Sequence, residues 1–372
     1  MSSMQMLSNR AISVLAVAAV FLAACAPKDD GQVSSDSSVM TDSAAAVSGG
    51  PNEMPKANDE QKAVLDELAS LGGKPIETLT PAEARKQPTP ADAVKKLLEK
   101  QGKSTAPEPV GNVVDRKIAG PGGQIPIRIY TPAGAGPFPV IVYYHGGGWV
   151  IADLDTYDAS PRALANAANA VVVSSHYRQA PEHKFPAAHE DAYAAYQWTL
   201  KNAASIKGDP KRVAVAGESA GGNLAANVAI MARDKKAQMP VHMVLVYPVA
   251  GSDMNTPSYQ ENASAKPLNK PMVEWFVKHF LKSPAEAQDP RINLVAADLK
   301  GLPPTTIIAA EIDPLRSEGE TLAQKLKDAG VDTDHSTYNG AAHEFFGQAA
   351  VVDKAKDAQG RAADRLKNAF HK

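Results

Sequence analysis

From residue 111 onward the chain alternates short runs of β-branched and aromatic residues with longer stretches of helical apolar spacing. Runs at 125–130 (IPIRIY), 138–144, 170–177, 212–217, 241–248 and 305–311 predict strands. Several are apolar throughout, as strands covered on both faces must be. Residues 157–169, 187–202, 221–234 and 317–329 between them carry helical periodicity. Strand and helix in alternation predict an α/β fold with a mainly parallel central sheet flanked by helices. Two amphipathic helices, 61–71 and 90–101, come before that alternation. Residues 252–299 interrupt it with helical, proline-rich sequence. With the early segment, about 58–110, this insertion is expected to form a helical cap. No internal repeat is visible.

The first residues follow a different grammar. Arg10 precedes an apolar run over 11–24 that falls short of the roughly 20 residues a spanning helix needs. Residues 1–24 are therefore expected to be a leader. The run ends in LAAC, and Cys25 is the only cysteine. That tetrapeptide resembles the lipobox of bacterial lipoproteins, which implies cleavage before Cys25 and lipidation of its thiol. Two or three acyl chains, at about 0.8 kcal/mol per buried methylene, would hold the chain on a membrane. The alternative is ordinary leader cleavage with Cys25 idle. The lipobox implies an exported protein anchored to the cell envelope, and Ala26 in place of an Asp favours the outer membrane if the source is Gram-negative. Residues 25–57 turn to Ser, Asp, Ala, Gly and Pro and read as a tether, leaving 58–372 as the folded unit. A lone cysteine excludes an intramolecular disulfide.

Composition adds an exclusion. The 372 residues carry a formal net charge of −2 with no long Lys/Arg run, so nucleic acid is not an expected partner.

The sharpest chemical signal is GESAGG, residues 217–222, between a predicted strand and a predicted helix. This is the setting of a G-x-S-x-G nucleophile elbow, with Ser219 as nucleophile. A hydroxyl needs a base to take its proton and the base needs an acid, which in α/β hydrolases follow the serine as acid and then histidine. Asp313, just past the 305–311 strand, and His343, in a glycine-bracketed loop, fit that order. Glu311 belongs to the strand itself, while Asp289 and Asp298 precede one. His335 and His371 are read as ordinary surface or packed imidazoles. The run HGGGW, residues 145–149, follows an early strand. Its Gly146, Gly147 and Gly148 can present unobstructed N–H groups to an oxyanion, completed by the N–H of Ala220. A phosphate loop is excluded because no G-K-[ST] or G-x-G-x-x-G follows. No H-E-x-x-H or cysteine cluster is present, so no metal or organic cofactor is expected.

HGGGW, GESAGG, DPLR (313–316) and G-x-x-H-E-F (340–345) together resemble the hormone-sensitive lipase family of bacterial esterases, family IV of the lipolytic enzymes. The segments 177–191 and 289–320 share the likeness, which extends from about residue 65 to the C-terminus. The resemblance implies an α/β-hydrolase fold with a cap and a serine carboxylesterase acting on short to medium acyl esters. It implies Ser219, Asp313 and His343 as triad, Gly147, Gly148 and Ala220 as oxyanion donors with Gly146 beside them, and His145 as support of the glycine loop. Glu218 departs from the more usual Asp, which bears on pocket width. Trp149, Tyr177, Trp275 and Phe276 are expected to line the pocket. Amide cleavage or polysaccharide deacetylation by the same triad is the alternative activity. A non-catalytic binding protein of the same fold is the remote one.

Overall fold

The computed structural model describes residues 55–372. The expected leader, Cys25 and most of the tether lie outside the described residues. Eight strands form one sheet in the order β1-β2-β4-β3-β5-β6-β7-β8. They are β1 (Asn112–Gly120), β2 (Gly123–Thr131), β3 (Phe138–Tyr144), β4 (Val171–Ser175), β5 (Gly208–Glu218), β6 (Met243–Val246), β7 (Thr305–Ile312) and β8 (Thr333–Ala342). β2 runs antiparallel to both β1 and β4, and every later pairing is parallel. The helices are α1 (Asp59–Ser70), α2 (Pro81–Ala84), α3 (Pro90–Lys100), α4 (Ala159–Ala168), α5 (Ala187–Asn202), α6 (Ala220–Asp234), α7 (Pro257–Glu261), α8 (Lys270–Phe280), α9 (Arg316–Asp328) and α10 (Asp353–Phe370).

Strand alternation divides the core in two. Val140, Val142, Val215, Leu245 and Ile307 face α5, α6 and α9, whereas Ile141, Ala214, Ala216, Val244 and Ile308 face α4 and α10. Both faces are covered, which is why these strands are apolar throughout.

Two elements escape the hydrophobic pattern. β1 is an edge strand whose one buried position is Ile118, so it carries almost no apolar signal of its own. Its register with β2, from Asn112↔Thr131 to Gly120↔Gly123, supplies the order. α10 buries a stripe made mostly of alanines, Ala355, Ala358, Ala362 and Ala363, before Leu366 and Phe370. His371 is the C-cap of that helix.

The segments set aside as a cap divide by what they touch. α1 and α3 pack on the body: the Gln61 side-chain amide donates to Gln348 at 3.1 Å, and Val64, Ala93 and Val94 join the α10 core. Between them, capping boxes at Thr80/Glu83 and Thr89/Asp92, each followed by proline at the first helical position, start α2 and α3 and fix a short turn-rich passage. This passage meets α8, where the Trp275 indole donates to the Leu79 carbonyl at 3.0 Å.

Candidate active site

β5 ends in a turn so tight that side chains have no room. A Cβ on Gly217 would lie 2.1 Å from the Gly221 carbonyl oxygen, and one on Gly221 would lie 1.9 Å from that of Tyr144. Ser219 itself adopts φ +55° and ψ −118°, a strained conformation for a non-glycine residue. Its N–H donates to the Val246 carbonyl at 2.9 Å, so the strain is held by the neighbouring strand.

Three chain segments meet at this hydroxyl. His343, just past β8, places Nε2 3.1 Å from Ser219 Oγ, and its Nδ1 lies 2.7 Å from Asp313 Oδ2 in the loop after β7. The other Asp313 oxygen accepts the Leu315 N–H at 2.8 Å. Burial disfavours the imidazolium, yet the Asp313 charge and hydrogen bond, with Glu344 and Glu218 beyond, outweigh it and raise the His343 pKa. The competing acids are engaged elsewhere. Glu311 accepts the Gly340 N–H at 2.6 Å, Asp289 pairs with Arg291 at 2.7 Å, and Asp298 lies 3.9 Å from Arg233. His335 sits on β8.

The glycine loop follows β3. A Cβ on Gly146 would come 2.3 Å from the Tyr157 hydroxyl, on Gly147 2.3 Å from the Ile151 carbonyl, and on Gly148 2.3 Å from the Phe276 ring. Gly147 and Gly148 have φ of +89° and +57° and line the same cavity as Ser219 and His343. Gly146 lies behind them, its carbonyl accepting from Tyr177 at 3.1 Å. Ala220 opens α6, where backbone N–H groups have no partner within the helix. His145 lies under the loop, Nδ1 2.8 Å from the Gly146 carbonyl and Nε2 3.1 Å from His176 Nδ1. A carbonyl only accepts, so His145 carries its proton on Nδ1. Burial, with the His176 ring beside it, pushes its pKa down to about 3 and keeps it neutral.

A cavity of about 610 Å³ opens over Ser219, with Leu268, Met272 and Phe276 on the cap side. Trp149 and Phe276 line it, whereas two expected lining residues do not. Tyr177 is buried with its hydroxyl on the His145 carbonyl at 2.9 Å and its ring stacked on His145 at 4.5 Å, so it braces the loop. Trp275 turns away to bind Leu79. Glu218 also lies outside the lining: its carboxyl accepts from the Tyr143 and Tyr247 hydroxyls beneath the elbow. Burial, assisted by repulsion from Glu344, pushes its pKa up to about 7.

Sequence reasoning missed Tyr247, whose ring lies 4.4 Å from the His343 ring, and the Tyr157–Glu344 pair at 2.5 Å. Glu344 stands inside G-x-x-H-E-F, the one local signal available for any of them. Among the described residues no three His, Cys, Asp or Glu side chains gather as metal ligands.

A family model described as the alpha/beta hydrolase fold matches residues 141–347. Carboxylesterase NlhH of Mycobacterium tuberculosis is 43% identical over 253 residues, covering 67% of this chain and 79% of that protein. Ethyl acetate hydrolase of Pseudomonas putida is 31% identical over 300 residues, covering 79% of this chain and 92% of that protein. The solved hyperthermophilic esterase of the archaeon Pyrobaculum calidifontis matches with a TM-score of 0.77 at 37% identity, over 85% of this chain and 99% of that one. The protein is an α/β hydrolase. Within that fold it belongs to the hormone-sensitive-lipase-like carboxylesterases and is an ester hydrolase of the carboxylesterase type.

Proposed function

We propose that Ser219, His343 and Asp313 are the catalytic triad and that the enzyme cleaves short to medium acyl esters through an acyl-enzyme. The observation that carries this reading is the continuous relay from Asp313 Oδ2 through the imidazole to Ser219 Oγ, at 2.7 and 3.1 Å, opening on the glycine-lined cavity. His343 Nε2 takes the Ser219 proton as Oγ attacks the ester carbonyl. The N–H groups of Gly147, Gly148 and Ala220 receive the oxyanion. Collapse expels the alcohol, which takes the proton from Nε2. Water then repeats the sequence on the acyl-enzyme, leaving the acid and free Ser219. The volume of about 610 Å³, closed on one side by Phe276 and Met272, suits a modest acyl group better than a long one. The test is hydrolysis of p-nitrophenyl esters from acetyl to palmitoyl. Turnover peaking at short chains and abolished in Ser219→Ala supports the reading, and equal rates in both proteins overturn it.

The location belongs to the same proposal. LAAC ending in Cys25, followed by a polar tether, supports an exported enzyme lipid-anchored to the cell envelope, on the outer membrane or the periplasmic face if the source is Gram-negative. Among the described residues no helix is long and apolar enough to cross a membrane. Labelling with a radioactive fatty acid checks the anchor: incorporation is expected in the wild type and lost in Cys25→Ala, and equal incorporation refutes it.

A further inference from the structure

His343 faces carboxylates on two sides. Asp313 holds Nδ1. Glu344 Oε1 lies 3.9 Å from Nε2, the nitrogen that faces Ser219. Glu344 lines the cavity and adopts φ +73°, a left-handed conformation disfavoured for a non-glycine residue. Its Oε1 accepts from Tyr157 at 2.5 Å, and Tyr157 is wedged against Gly146 at the base of the glycine loop. The acylation step passes no proton to any of these groups.

The two half-reactions differ in their protons. In acylation the attacking hydroxyl carries one O–H, and His343 accepts it. In deacylation the nucleophile is water, with two. One proton goes to Nε2, and the second needs an acceptor beside the buried Ser219 and His343, since an unpaired polar group there is costly. Glu344 is the acceptor within reach of the same point. We propose that Glu344, oriented by Tyr157, is a positioning residue for deacylation, holding the hydrolytic water beside His343 Nε2. This rests on the triad reading. In the step, the water oxygen bonds to the acyl carbon and one proton passes to Nε2. The remaining O–H stays on Glu344. The oxyanion then collapses, the bond from carbon to Ser219 Oγ breaks, and Nε2 returns its proton to Oγ.

The charge at Glu344 also favours the imidazolium. The other groups facing His343 are Asp313, Glu218 and Ser219, with the Tyr247 ring against it and Glu318 acting from α9. Tyr157, His343 and Asp313 face Glu344. Removing the Glu344 charge therefore moves the acid limb of kcat/KM to lower pH.

Methanol separates a positioning role from a structural one, because it carries a single O–H and needs no second acceptor. Glu344→Gly suits φ +73° and deletes the carboxylate, and Glu344→Gln keeps an acceptor oxygen without the charge. With p-nitrophenyl acetate and added methanol, Glu344→Gly is expected to lower hydrolysis about 10-fold while methanolysis persists, raising the ratio of methyl ester to free acid about 10-fold. First-turnover release of p-nitrophenol, measured above the acid limb, falls by much less than hydrolysis does. Glu344→Gln recovers part of the ratio, Tyr157→Phe moves it in the same direction as Glu344→Gly, and the acid limb falls in both Glu344 variants. An unchanged ratio in both Glu344 variants overturns the proposal, as does an equal fall in acylation, hydrolysis and methanolysis. Undiminished turnover in Ser219→Ala overturns the triad reading first and this one with it.

Discussion

The two walls of the cavity are built on opposite principles. The floor, from the glycine loop and the elbow, is backbone packed too closely for side chains, with Gly147, Gly217 and Gly221 against other backbone and Gly146 and Gly148 against the Tyr157 hydroxyl and the Phe276 ring. At Gly146, Gly147, Gly148, Gly217 and Gly221 a single added carbon would meet another atom at 2.3 Å or less. The roof is made of side chains from α8 and the passage between α1 and α3, and Arg85 ties it to the body. The Arg85 Nε donates to the Val150 carbonyl and one terminal nitrogen to the Ala180 carbonyl, each at 2.8 Å, while both terminal nitrogens bind Glu182 at 2.7 and 2.8 Å. An oxyanion demands donors fixed to within a fraction of an ångström, which backbone in contact with backbone supplies. Ester recognition demands shape, which side chains can vary without moving the donors.

Breaking the floor is expected to have the largest effects. Ser219→Ala removes the proposed nucleophile and should lower kcat on p-nitrophenyl acetate by about four orders of magnitude or more, with a thermal midpoint close to wild type. Gly148→Ala comes next: the new Cβ meets the Phe276 ring and is strained at φ +57°. A loss of about 10²- to 10³-fold in kcat is expected, the scale of losing one oxyanion donor. The double variant Gly148→Ala/Phe276→Ala sharpens the comparison. If the roof ring causes the loss, activity on acetyl esters returns in part, and if backbone strain causes it, the double variant is no better than the single one.

The floor was the legible part of the molecule because its constraints are local. HGGGW and GESAGG announce places where the backbone comes so close to its neighbours that a Cβ has no room, and the sequence writes that requirement as glycine. Asp313 and His343 were legible through their order after strands that the apolar pattern had already located. Tyr143, Tyr157 and Tyr247 were not, since each reaches the site from a different element and its role depends on contacts many residues away. Tyr177 and Trp275 show the same limit from the other side. An aromatic near a motif can be placed by sequence, but the destination of its hydroxyl or indole N–H cannot, and both turned to backbone carbonyls. β1 and α10 were hidden because their buried faces are nearly blank, one Ile in the first and a row of alanines in the second.

Beneath the floor the protein keeps a group that costs stability. Glu318, in the first turn of α9, accepts the Ala250 N–H at 2.8 Å with one oxygen, while the other has no partner. Burial pushes its pKa up to about 8 from 4.5, opposed by the Ala250 and Gly251 N–H groups. Between those values the native state holds a proton that the unfolded chain has released. Stability should therefore fall as pH rises from 4.5 to about 8 and level off above, with this group contributing at most about 1.4 kcal/mol per pH unit. Glu218 acts in the same direction up to about 7, so the informative quantity is the difference between variants. Glu318→Gln is expected to gain about 3 kcal/mol on the wild type between pH 5 and pH 9 in urea unfolding. A constant difference across that range would mean that Glu318 is ionised in the fold and that the loop above it rests on an ion, not on a neutral acid.

The smallest expected effect tests whether the walls are separate at all. Arg85→Met keeps much of the side-chain volume and removes the tie. Glu182, held down to about 2 by its bond to Arg85, is ionised throughout the neutral range, so the tie is intact there and loosens only as pH falls toward 2. Loss of charged hydrogen bonds to two backbone carbonyls is expected to raise KM about 5-fold on butyryl esters at pH 7, with kcat nearly unchanged, because substrate loses a fixed roof while the donors stay in place. Val150 makes the result decisive. Its carbonyl accepts from Arg85 and its N–H donates to the Gly147 carbonyl at 3.0 Å, one step from the proposed oxyanion donors. If kcat falls as far as KM rises, on acetyl as on butyryl esters, the roof reaches the floor through Val150, and the cap sets the geometry of the oxyanion site as well as the shape of the pocket.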